Sequence, residues 1–523
     1  MLRIAALLLT APVSHPAPLP LPVVQDTSLR ARVNAWRAAH ESEIFREYVD
    51  LLAIPNLASD SANIRRNSAA IVRMLERRGV RARLLEAPGS PPAVYGELAA
   101  PGAAHTVVLY AHYDGQPVDT SRWVTPPWKP VLRDKALFAG GKEIPFPTAG
   151  ARFDPEWRLY ARSTGDDKGS IITQLSALDA LRALGVQPSV NLKFFFEGEE
   201  EAGSTHIRDM LTRHAALLKA DVWLMGDGPV HQTRRQQIQF GVRGDMGLQL
   251  TVYGPARPLH SGHYGNWVPN PDVMLVHLLA SMRDEEGKIL IEHYYDDVRP
   301  ISAAERAALA TVPPVEDQLL GELKLGRSEG APASLAERIL LPGLNISGLS
   351  GGRTGSTAAN VIVSEATAFL DIRMVPDQLP ERVQQLIVAH LEKQGYFVTG
   401  TDPDSATRRV HPRTVKAVFS SGYPASRTAL DGPAARAVIA AIQAGMGEPL
   451  ITMPASGGSD GTYIFHDVLG TPIIGVPISN HDNNQHAENE NMRLQNLWDG
   501  IGLYAGIMAR LGTTWRAVEK PVP

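Results

Sequence analysis

Phe194-Phe195-Phe196-Glu197-Gly198-Glu199-Glu200-Glu201-Ala202-Gly203-Ser204 joins an aromatic run to four acidic residues within five positions. Val190 to Phe196 is predicted to form a buried strand. Ligands bind at the carboxyl ends of such strands in open α/β sheets. Carboxylates this close together repel one another unless a cation or a proton neutralises them. Taken alone, the stretch also fits a solvated acidic loop, so the rest of the chain has to decide between the two.

Three further apolar strands are predicted to run directly into residues that bind hard metal ions. They precede His112, Asp227 and the polar loop that contains His486. Asp114, two residues after His112, suits a carboxylate that holds the second ring nitrogen of a metal-bound histidine. A structural, hydrogen-bonded histidine explains His112 equally well in isolation. The recurrence at four strand ends favours a metal site.

Length and composition limit the classes of protein to which the chain can belong. A chain of 523 residues exceeds what one core usually fills, so we expect two domains. The composition is 44% hydrophobic and 20% charged, and the net charge of −4 argues against nucleic-acid binding. The chain has no cysteine, which excludes disulfides, thiolate catalysis and thiolate metal ligands. Any metal must therefore bind to histidine and carboxylate side chains.

The N-terminus is predicted to be a secretory signal peptide or a disordered leader within residues 1–25. One arginine, a short apolar run and five prolines follow Met1, and the run is too short to span a bilayer, which needs about 20 apolar residues. A misassigned start codon is the third interpretation. A signal peptide would mean export to the periplasm or medium; otherwise we expect a cytoplasmic protein. No other segment is predicted to cross a membrane.

The order of predicted elements indicates an α/β protein with a mixed, mostly parallel sheet flanked by helices. Around Phe240 the pattern changes to half-exposed antiparallel strands with segregated helices, which is typical of an inserted α+β module. After about Pro424 the α/β pattern returns. The segment from Arg122 to Trp157 is predicted to be a long surface excursion beside the site. The predicted divisions are a leader (1–25), the first part of the catalytic domain (26–239), the insert (240–424) and the second part of the catalytic domain (425–523).

Three other motifs carry candidate functional residues. Asp166 and Asp167 stand at the start of a predicted helix, where they could favour the helix dipole or supply a carboxylate that bridges two cations. His260 lies near the start of the insert. Gly457, Gly458 and Ser459 form a glycine-rich loop whose backbone N–H groups and hydroxyl could face an anion.

Taken in order, these motifs resemble the co-catalytic zinc peptidases typified by carnosinase. The wider group includes aminoacylase, succinyl-diaminopimelate desuccinylase and bacterial glutamate carboxypeptidase. The resemblance runs from roughly Arg32 to Leu511, and the ordered set is far more specific than any single motif. The residues that carry it are His112-Tyr113-Asp114, Asp166-Asp167-Lys168-Gly169, Glu200-Glu201-Ala202-Gly203-Ser204, Asp227, His260-Ser261-Gly262 and His486-Ala487-Glu488-Asn489-Glu490.

The resemblance implies two divalent metal ions per subunit. One would be bound by His112 and Asp227, the other by Glu201 and His486, and Asp166 would bridge both. Oxygen and imidazole ligands without thiolate suit Zn²⁺, with Mn²⁺ or Co²⁺ as substitutes. Asp114 would orient His112.

The resemblance also assigns catalytic roles. Glu200 would be the general base that takes a proton from the attacking water and returns it to the leaving nitrogen. Glu199 receives no role, and a shift of base and ligand by one residue is the alternative alignment.

The insert resembles the family's lid and dimerisation domain, which implies a homodimer. His260 would reach the partner subunit's site and help to bind the oxyanion, whereas an ordinary turn histidine is the simpler interpretation. Arg373 and Asn360 would contact the substrate. Ser459, with Gly457 and Gly458, would hold its C-terminal carboxylate.

The sequence therefore predicts a dinuclear metallohydrolase that cleaves the amide bond of dipeptides or short peptides with a free C-terminal carboxylate. An N-acyl-amino-acid amidohydrolase is the nearest alternative. A catalytically inactive receptor or scaffold on the same fold and a single or purely structural metal site are further alternatives. The expected partners are a small peptide or acyl-amino-acid substrate and a second copy of the chain, with no nucleic acid and no membrane.

Overall fold

The computed structural model describes residues 27–148 and 150–519. The predicted leader at 1–25 lies outside these residues. Within them, sixteen α-helices pack around one large sheet and several smaller ones. The helices are α1 Thr27–Ala39, α2 Glu41–Leu52, α3 Ser61–Arg77, α4 Gly169–Ala183, α5 Ile207–Arg213, α6 Ala215–Leu218, α7 Ser261–Tyr264, α8 Pro271–Met282, α9 Ala303–Leu309, α10 Glu316–Leu323, α11 Leu335–Ile339, α12 Pro380–Lys393, α13 Ser405–Val410, α14 Pro433–Gln443, α15 Thr462–Leu469 and α16 Leu494–Glu519.

The large sheet has eight strands, all of them from the predicted catalytic domain. They are β1 Arg81–Leu85, β2 Ala93–Leu98, β3 Thr106–His112, β7 Asn191–Glu197, β8 Val222–Met225, β9 Gln237–Gln239, β19 Ile451–Met453 and β20 Ile473–Gly475. Their order across the sheet is β1-β2-β7-β3-β8-β20-β9-β19. The four central strands β7, β3, β8 and β20 are parallel, and antiparallel pairs flank them. The carboxyl ends of the central four therefore meet at one edge of the sheet.

Side chains of the central strands point alternately to the two faces of this sheet, and they form an apolar layer on each face. Leu109 and Phe196 join the core beneath α1, α2, α4, α14 and α16. Tyr110, Phe195 and Trp223 point to the opposite face, where they pack with Phe465 of α15 and with α5. Residues i and i+2 of a strand share a face, so the uninterrupted apolar run Phe194–Phe196 is buried on both sides. This doubly covered sheet is the scaffold on which the strand ends are fixed.

The region from Arg122 to Trp157 is more ordered than the sequence predicts. It contains β4 Val131–Arg133 and β5 Glu143–Ile144, which join β6 Arg158–Tyr160 and β21 Asn491–Arg493 in a four-stranded antiparallel sheet. Most residues of this region are exposed or half-buried, so it is a surface segment that is folded into a small sheet. The partner strand β21 comes from more than 300 residues later in the chain, so local sequence gives no signal for this pairing.

The insert forms a five-stranded sheet of its own, ordered β13-β15-β11-β17-β16. Its strands are β11 Gly244–Tyr253, β13 Gly343–Ser350, β15 Glu365–Met374, β16 Phe397–Thr399 and β17 Thr414–Phe419. One face of this sheet packs on α8 and α12 in a separate apolar core. The insert also contains a short ribbon of β12 Leu259–His260 with β14 Val361–Ile362, and a second ribbon pairs β10 Gly241–Val242 with β18 Ser426–Arg427, just beyond the end of the insert.

Part of the insert packs back onto the catalytic domain. Ala308 of α9 belongs to the same core as the large sheet. Buried Glu305 and Arg427 form an ion pair at 2.9 Å. The ribbon of β10 and β18 joins the two places where the chain passes between the catalytic domain and the insert. They lie near the predicted domain boundaries at 240 and 424, and those boundaries stay a prediction. Contact between α9 and the catalytic core fixes one wall of the space between the two parts.

The predicted fold class is confirmed, since a mixed sheet with a parallel centre is flanked by helices and carries an α+β insert. Two helical segments are each divided in two, since α1 is followed directly by α2 and α5 directly by α6. Among the described residues, no helix is both long and apolar enough to span a bilayer.

Candidate metal centre

The five predicted metal ligands converge into two groups that share Asp166. One group is His112, Asp166 and Asp227, and the other is Asp166, Glu201 and His486. Within each group the ligand atoms all lie within 4.8 Å of one another. His112 Nε2 lies 2.9 Å from Oδ1 of Asp166, and His486 Nε2 lies 3.1 Å from its Oδ2. His486 Nε2 is also 3.3 Å from Glu201 Oε2. One carboxylate therefore presents a different oxygen to each group.

Four neighbouring parallel strands deliver the other four ligands. His112 is the last residue of β3, and Asp227 follows β8 by two residues. Glu201 lies in a short 3₁₀ turn after β7, and His486 lies in the loop that follows β20. Adjacent parallel strands run about 4.8 Å apart, so side chains at their carboxyl ends come within reach of common ions. This arrangement is the one expected from the strand ends in the sequence.

Asp166 is held by Glu490, for which the sequence pattern predicts no role. The Glu490 carboxylate accepts hydrogen bonds from the backbone N–H groups of Gly165 at 2.9 Å and Asp166 at 3.1 Å. It also accepts from the N–H of Ser163 and from the guanidinium of Arg162. Glu490 is fully buried, and the peptide between Asp166 and Asp167 is cis. The only signal in the sequence was its place at the end of the motif that begins with His486.

Asp114 acts mainly on the turn that carries Glu200 and Glu201. Its Oδ1 lies 3.4 Å from His112 Nδ1, which is longer than a normal hydrogen bond. The same carboxylate accepts the backbone N–H groups of Glu200 at 3.1 Å and Glu201 at 3.0 Å. Gln116 adds a hydrogen bond of 2.7 Å to Glu201 Oε2. Asp114 therefore ties β3 to the turn after β7, beyond the orienting role predicted for it.

Glu200 and Glu199 differ in their surroundings. Glu200 Oε2 lies 4.0 Å from His112 Nε2, and Glu200 lines a small cavity of about 60 Å³ together with Asp227 and Asp460. The carboxylate of Glu199 instead accepts the N–H of His206 at 2.8 Å and contacts its ring Nδ1 at 2.9 Å. Glu200 therefore faces the ligand groups, and Glu199 fixes the start of α5. The geometry favours the predicted alignment over a shift by one residue.

Burial and mutual repulsion raise the pKa of most carboxyl groups in the cluster. Burial, followed by the charge of Asp166, raises the pKa of Glu201 to about 8 and that of Asp227 to about 7. Burial and the charges of Asp227 and Glu201 also raise the pKa of Glu200 well above its usual value, against the opposing effect of His112. So many acids in one place would hold protons unless cations balance their charge.

The two histidines show the complementary shift. A hydrogen bond to Asp166 raises the pKa of His486 to about 9. For His112, burial opposes the charged form, but the neighbouring Asp114 and Asp166 outweigh it and raise the pKa. Glu201 Oε1 and Asp227 Oδ1 are buried, and no described residue forms a hydrogen bond with them. Histidine nitrogens and unpartnered carboxylate oxygens are the donors that Zn²⁺ prefers in the absence of thiolate, so the residues fit a pair of divalent cations.

The residues predicted to bind substrate fall into two places. Arg373 donates a hydrogen bond of 2.8 Å to Ser459 Oγ, which joins the insert to the glycine-rich loop. The N–H of Gly458 is bonded to Ser456 Oγ at 3.0 Å, so it does not face an anion in this structure. Gly457, beside it, is exposed. Arg373 and Ser459 therefore form one polar contact across the space between the domains.

His260 and Asn360 lie together elsewhere on the insert. Both are exposed, and the backbone carbonyl of Asn360 accepts the N–H of Ser261 at 2.9 Å. The His260 ring packs near that of His263 at 4.7 Å, and its Nδ1 accepts the N–H of Gly262. Among the described residues, no hydrogen bond or ion pair joins either side chain to the metal-ligand groups. Their hydrogen bonds and ring contacts in the described part of the chain are local to the insert.

The model of a protein family described as Peptidase family M20/M25/M40 matches residues 108–510 of this chain. That match covers well over half of the chain and includes every candidate ligand. The chain belongs to this peptidase family. It is accordingly a hydrolase of the metallopeptidase class, as the motifs predict.

Relatives of this peptidase family resemble the chain over most of its length. The Cys-Gly metallodipeptidase DUG1 of Candida albicans is 27% identical over 442 residues, which cover 81% of this chain and 82% of that protein. The human Beta-Ala-His dipeptidase is 25% identical over 431 residues, which cover 80% of this chain and 78% of that protein. The crystal structure of an M20 family metallo-carboxypeptidase from Sulfolobus solfataricus superposes with a TM-score of 0.69 at 26% identity, covering 90% of this chain and 99% of that one.

Substitutions at the ligands should separate the two metal positions. We expect Asp227→Ala to lower the metal content from about two ions per chain to about one, because only one group loses a ligand. Asp166→Ala should lower the content of both positions, because both groups share that carboxylate. Metal analysis of the purified protein after equilibrium dialysis measures this difference.

Glu488→Gln is the matched control for these two variants. Glu488 is an acid two residues from His486, but its carboxylate is paired with Arg122 at 2.9 Å. Unchanged metal content is expected for this variant. Equal metal loss in Asp227→Ala and Asp166→Ala would contradict a bridging role for Asp166.

Proposed function

We propose that this chain is a dinuclear metallohydrolase that cleaves the amide bond of dipeptides or short peptides with a free C-terminal carboxylate. The observation that carries the proposal is the pair of ligand groups that share Asp166, with the Glu200 carboxylate beside them. Relatives named as dipeptidases over about four fifths of the chain support this substrate class. Two divalent cations, most simply Zn²⁺ with Mn²⁺ or Co²⁺ as substitutes, would lower the pKa of water and stabilise negative charge on the substrate carbonyl oxygen.

Glu200 is the general base in this proposal. Its carboxylate lines the cavity next to Asp227 and lies at 4.0 Å from the His112 ring. It takes one proton from water as the C–O bond to the carbonyl carbon forms, and it returns that proton to the nitrogen as the C–N bond breaks. Asp114 holds the backbone of Glu200 and Glu201 and therefore positions both.

Two arginines support the assignment of the carboxylate end of the substrate. Arg243 and Arg373 lie close together, and burial followed by the charge of Arg373 lowers the pKa of Arg243 to about 10. The Nε of Arg243 is buried, and no described residue forms a hydrogen bond with it. A substrate carboxylate near these guanidinium groups and Ser459 Oγ would relieve their mutual repulsion. Arg243 is a candidate substrate-binding residue that the sequence did not single out.

Exposed apolar side chains on the insert support a homodimer in which His260 and Asn360 act at the partner subunit's site. Large apolar side chains are exposed on the same part of the insert, including Trp267 at 81% and Val276 at 57% exposure. Exposed apolar groups of this kind mark protein interfaces when they are contiguous. A dimer through this region would bring His260 to the partner subunit's site.

Export through residues 1–25 stays a prediction of the sequence. Amino-terminal sequencing of the protein isolated from its source separates the three interpretations of that segment. A mature terminus near residue 25 would support a cleaved signal peptide.

Unblocked dipeptides should be hydrolysed, and their N-acetylated equivalents should be hydrolysed far more slowly. We expect this difference because relatives that match over about four fifths of this chain are named as dipeptidases. The rate of amine release from matched pairs, such as Ala-Gly and N-acetyl-alanyl-glycine, measures the difference in hydrolysis. Hydrolysis of the blocked members alone would reject the dipeptidase proposal in favour of an N-acyl-amino-acid amidohydrolase.

Glu200→Gln should lower kcat by about 10²–10⁴-fold while both metal ions are retained, because it removes the proton acceptor but keeps the shape of the side chain. Glu199→Gln is the matched control, since the neighbouring Glu199 contacts His206 instead of the ligand groups. Steady-state kinetics and metal analysis on the same samples provide the readout. A loss in Glu199→Gln with full activity in Glu200→Gln would shift the base by one residue.

Mixed dimers should show whether His260 acts across the interface. His260→Ala and Glu200→Gln should each be nearly inactive, but unfolding and refolding an equal mixture should restore about a quarter of wild-type activity. Half of the dimers would then be mixed, each with one complete site, as expected for a symmetric dimer. Activity after mixing and mass by light scattering are measured together. No recovery in a sample that is dimeric would place His260 outside the partner's site.

A further inference from the structure

A cavity of about 410 Å³ lies between the catalytic domain and the insert, outside the ligand groups. Leu309, Leu335 and Ile339 line it from the insert, and Pro229, Met453 and Gly457 line it from the catalytic domain. Its volume is within the range of small-molecule sites, about 300–1,000 Å³. Apolar side chains and prolines form most of its wall.

Two chain segments connect this cavity to the candidate active site. Pro229 follows the candidate ligand Asp227 by two residues, and Gly457 precedes Ser459 by two residues. Ile339 packs directly on the glycine-rich loop, because a Cβ built on Gly457 would lie 3.3 Å from Ile339 Cδ1. The cavity is therefore bounded by the same loops that carry Asp227 and Ser459.

The cavity wall offers no available charge. Glu316 is the only acidic residue among the lining residues, and they include no lysine or arginine. Both oxygens of Glu316 are used, since they accept the backbone N–H groups of Leu335 at 2.9 Å and Val315 at 3.0 Å. Burial lowers the pKa of the two lining histidines, His231 and His481, which favours their neutral forms. An ammonium or carboxylate group would lose its hydration here without gaining an opposite charge.

The wall on the insert side is held in place. The buried ion pair of Glu305 and Arg427 fixes α9, and Ala308 of that helix belongs to the catalytic core. The capping box of Ser334 and Glu337 fixes the start of α11. A cavity with a fixed wall can select an occupant by size, because it does not have to collapse around a small one.

We propose that this cavity binds a large apolar side chain on the acyl side of the scissile amide. The inference rests on the proposed dipeptidase function and names its preferred substrates, peptides with a bulky apolar N-terminal residue. Gly457 borders the cavity, but Arg243, Arg373 and Ser459, which are assigned to the substrate carboxylate, are not among the lining residues. Pro229, close to the candidate ligand Asp227, is one of them. The acyl-side residue is the part of a dipeptide left for the cavity.

A dipeptide series tests the preference in the wild-type protein. We expect kcat/KM to rise at least about tenfold from Ala-Gly to Leu-Gly or Phe-Gly, since a few methylene groups in a fitted apolar pocket give such ratios. The reversed peptides Gly-Leu and Gly-Phe should gain much less over Gly-Ala. A flat X-Gly series, or a gain confined to the Gly-X series, would overturn the proposal and leave dipeptide hydrolysis intact. Failure to hydrolyse any dipeptide would overturn the proposed function as well.

Filling the cavity should remove the preference selectively. Ala336 is 7% exposed and lines the cavity, so Ala336→Phe should lower kcat/KM for Phe-Gly about tenfold or more through KM while it changes Ala-Gly less than about threefold. Ala307→Phe, at an exposed position on α9, is the matched control and should change neither. Equal losses on both substrates in a folded Ala336→Phe protein would contradict the assignment.

A second variant keeps the test valid if Ala336→Phe does not fold. Leu335 lines the cavity but is 43% exposed, so Leu335→Gln should leave folding intact. It should reduce the ratio of kcat/KM for Phe-Gly over Ala-Gly by about threefold to tenfold. An unchanged ratio would overturn the proposal.

Discussion

The Asp166 carboxylate, shared between His112 and His486, is the interaction on which the rest of the site depends. Asp166 is only 3% exposed, and a buried carboxylate is costly unless opposite charges and hydrogen bonds offset the loss of hydration. Two histidines approach its two oxygens, and Glu490 fixes the backbone behind it. Glu490 is itself buried and needs the guanidinium of Arg162. Removing any member of this chain of contacts would leave another buried charge without a partner.

The topology explains how residues as far apart as His112 and His486 meet. Four parallel strands in the order β7-β3-β8-β20 end side by side, and each is followed by a ligand or a loop that carries one. Beneath them lies the apolar layer of Phe194, Phe196 and Leu109. Water is excluded from that side, so charges at the strand ends interact more strongly than they would in solution. The aromatic run in the sequence and the acids that follow it therefore act together, since the aromatic side chains exclude water from beneath the acids.

Much of this arrangement could be predicted because it depends on local patterns. A buried strand is recognisable from its apolar run, and the residue types at its end determine which ions it can bind. The residues that fix the backbone around the ligands could not be predicted in the same way. Glu490 and Asp114 act on backbone N–H groups of segments distant in sequence, and the pairing of β21 with β6 depends on the same tertiary contacts. The role proposed for His260 depends on a dimer, whose geometry a single chain does not determine.

The charge distribution across the space between the domains would give a substrate of the proposed dipeptidase one favourable orientation. In the proposed function the acids around Asp166 hold metal ions, and Arg243 and Arg373 would attract the substrate carboxylate at the other end. Asp245 and Asp371 lie 3.4 and 3.0 Å from Arg373, so they reduce its charge and limit how strongly a carboxylate is held. A weakly held carboxylate favours release of the product amino acid, since binding the ground state tightly does not lower the barrier. The neutral cavity then contributes selection by shape without adding a charge that would compete with this orientation.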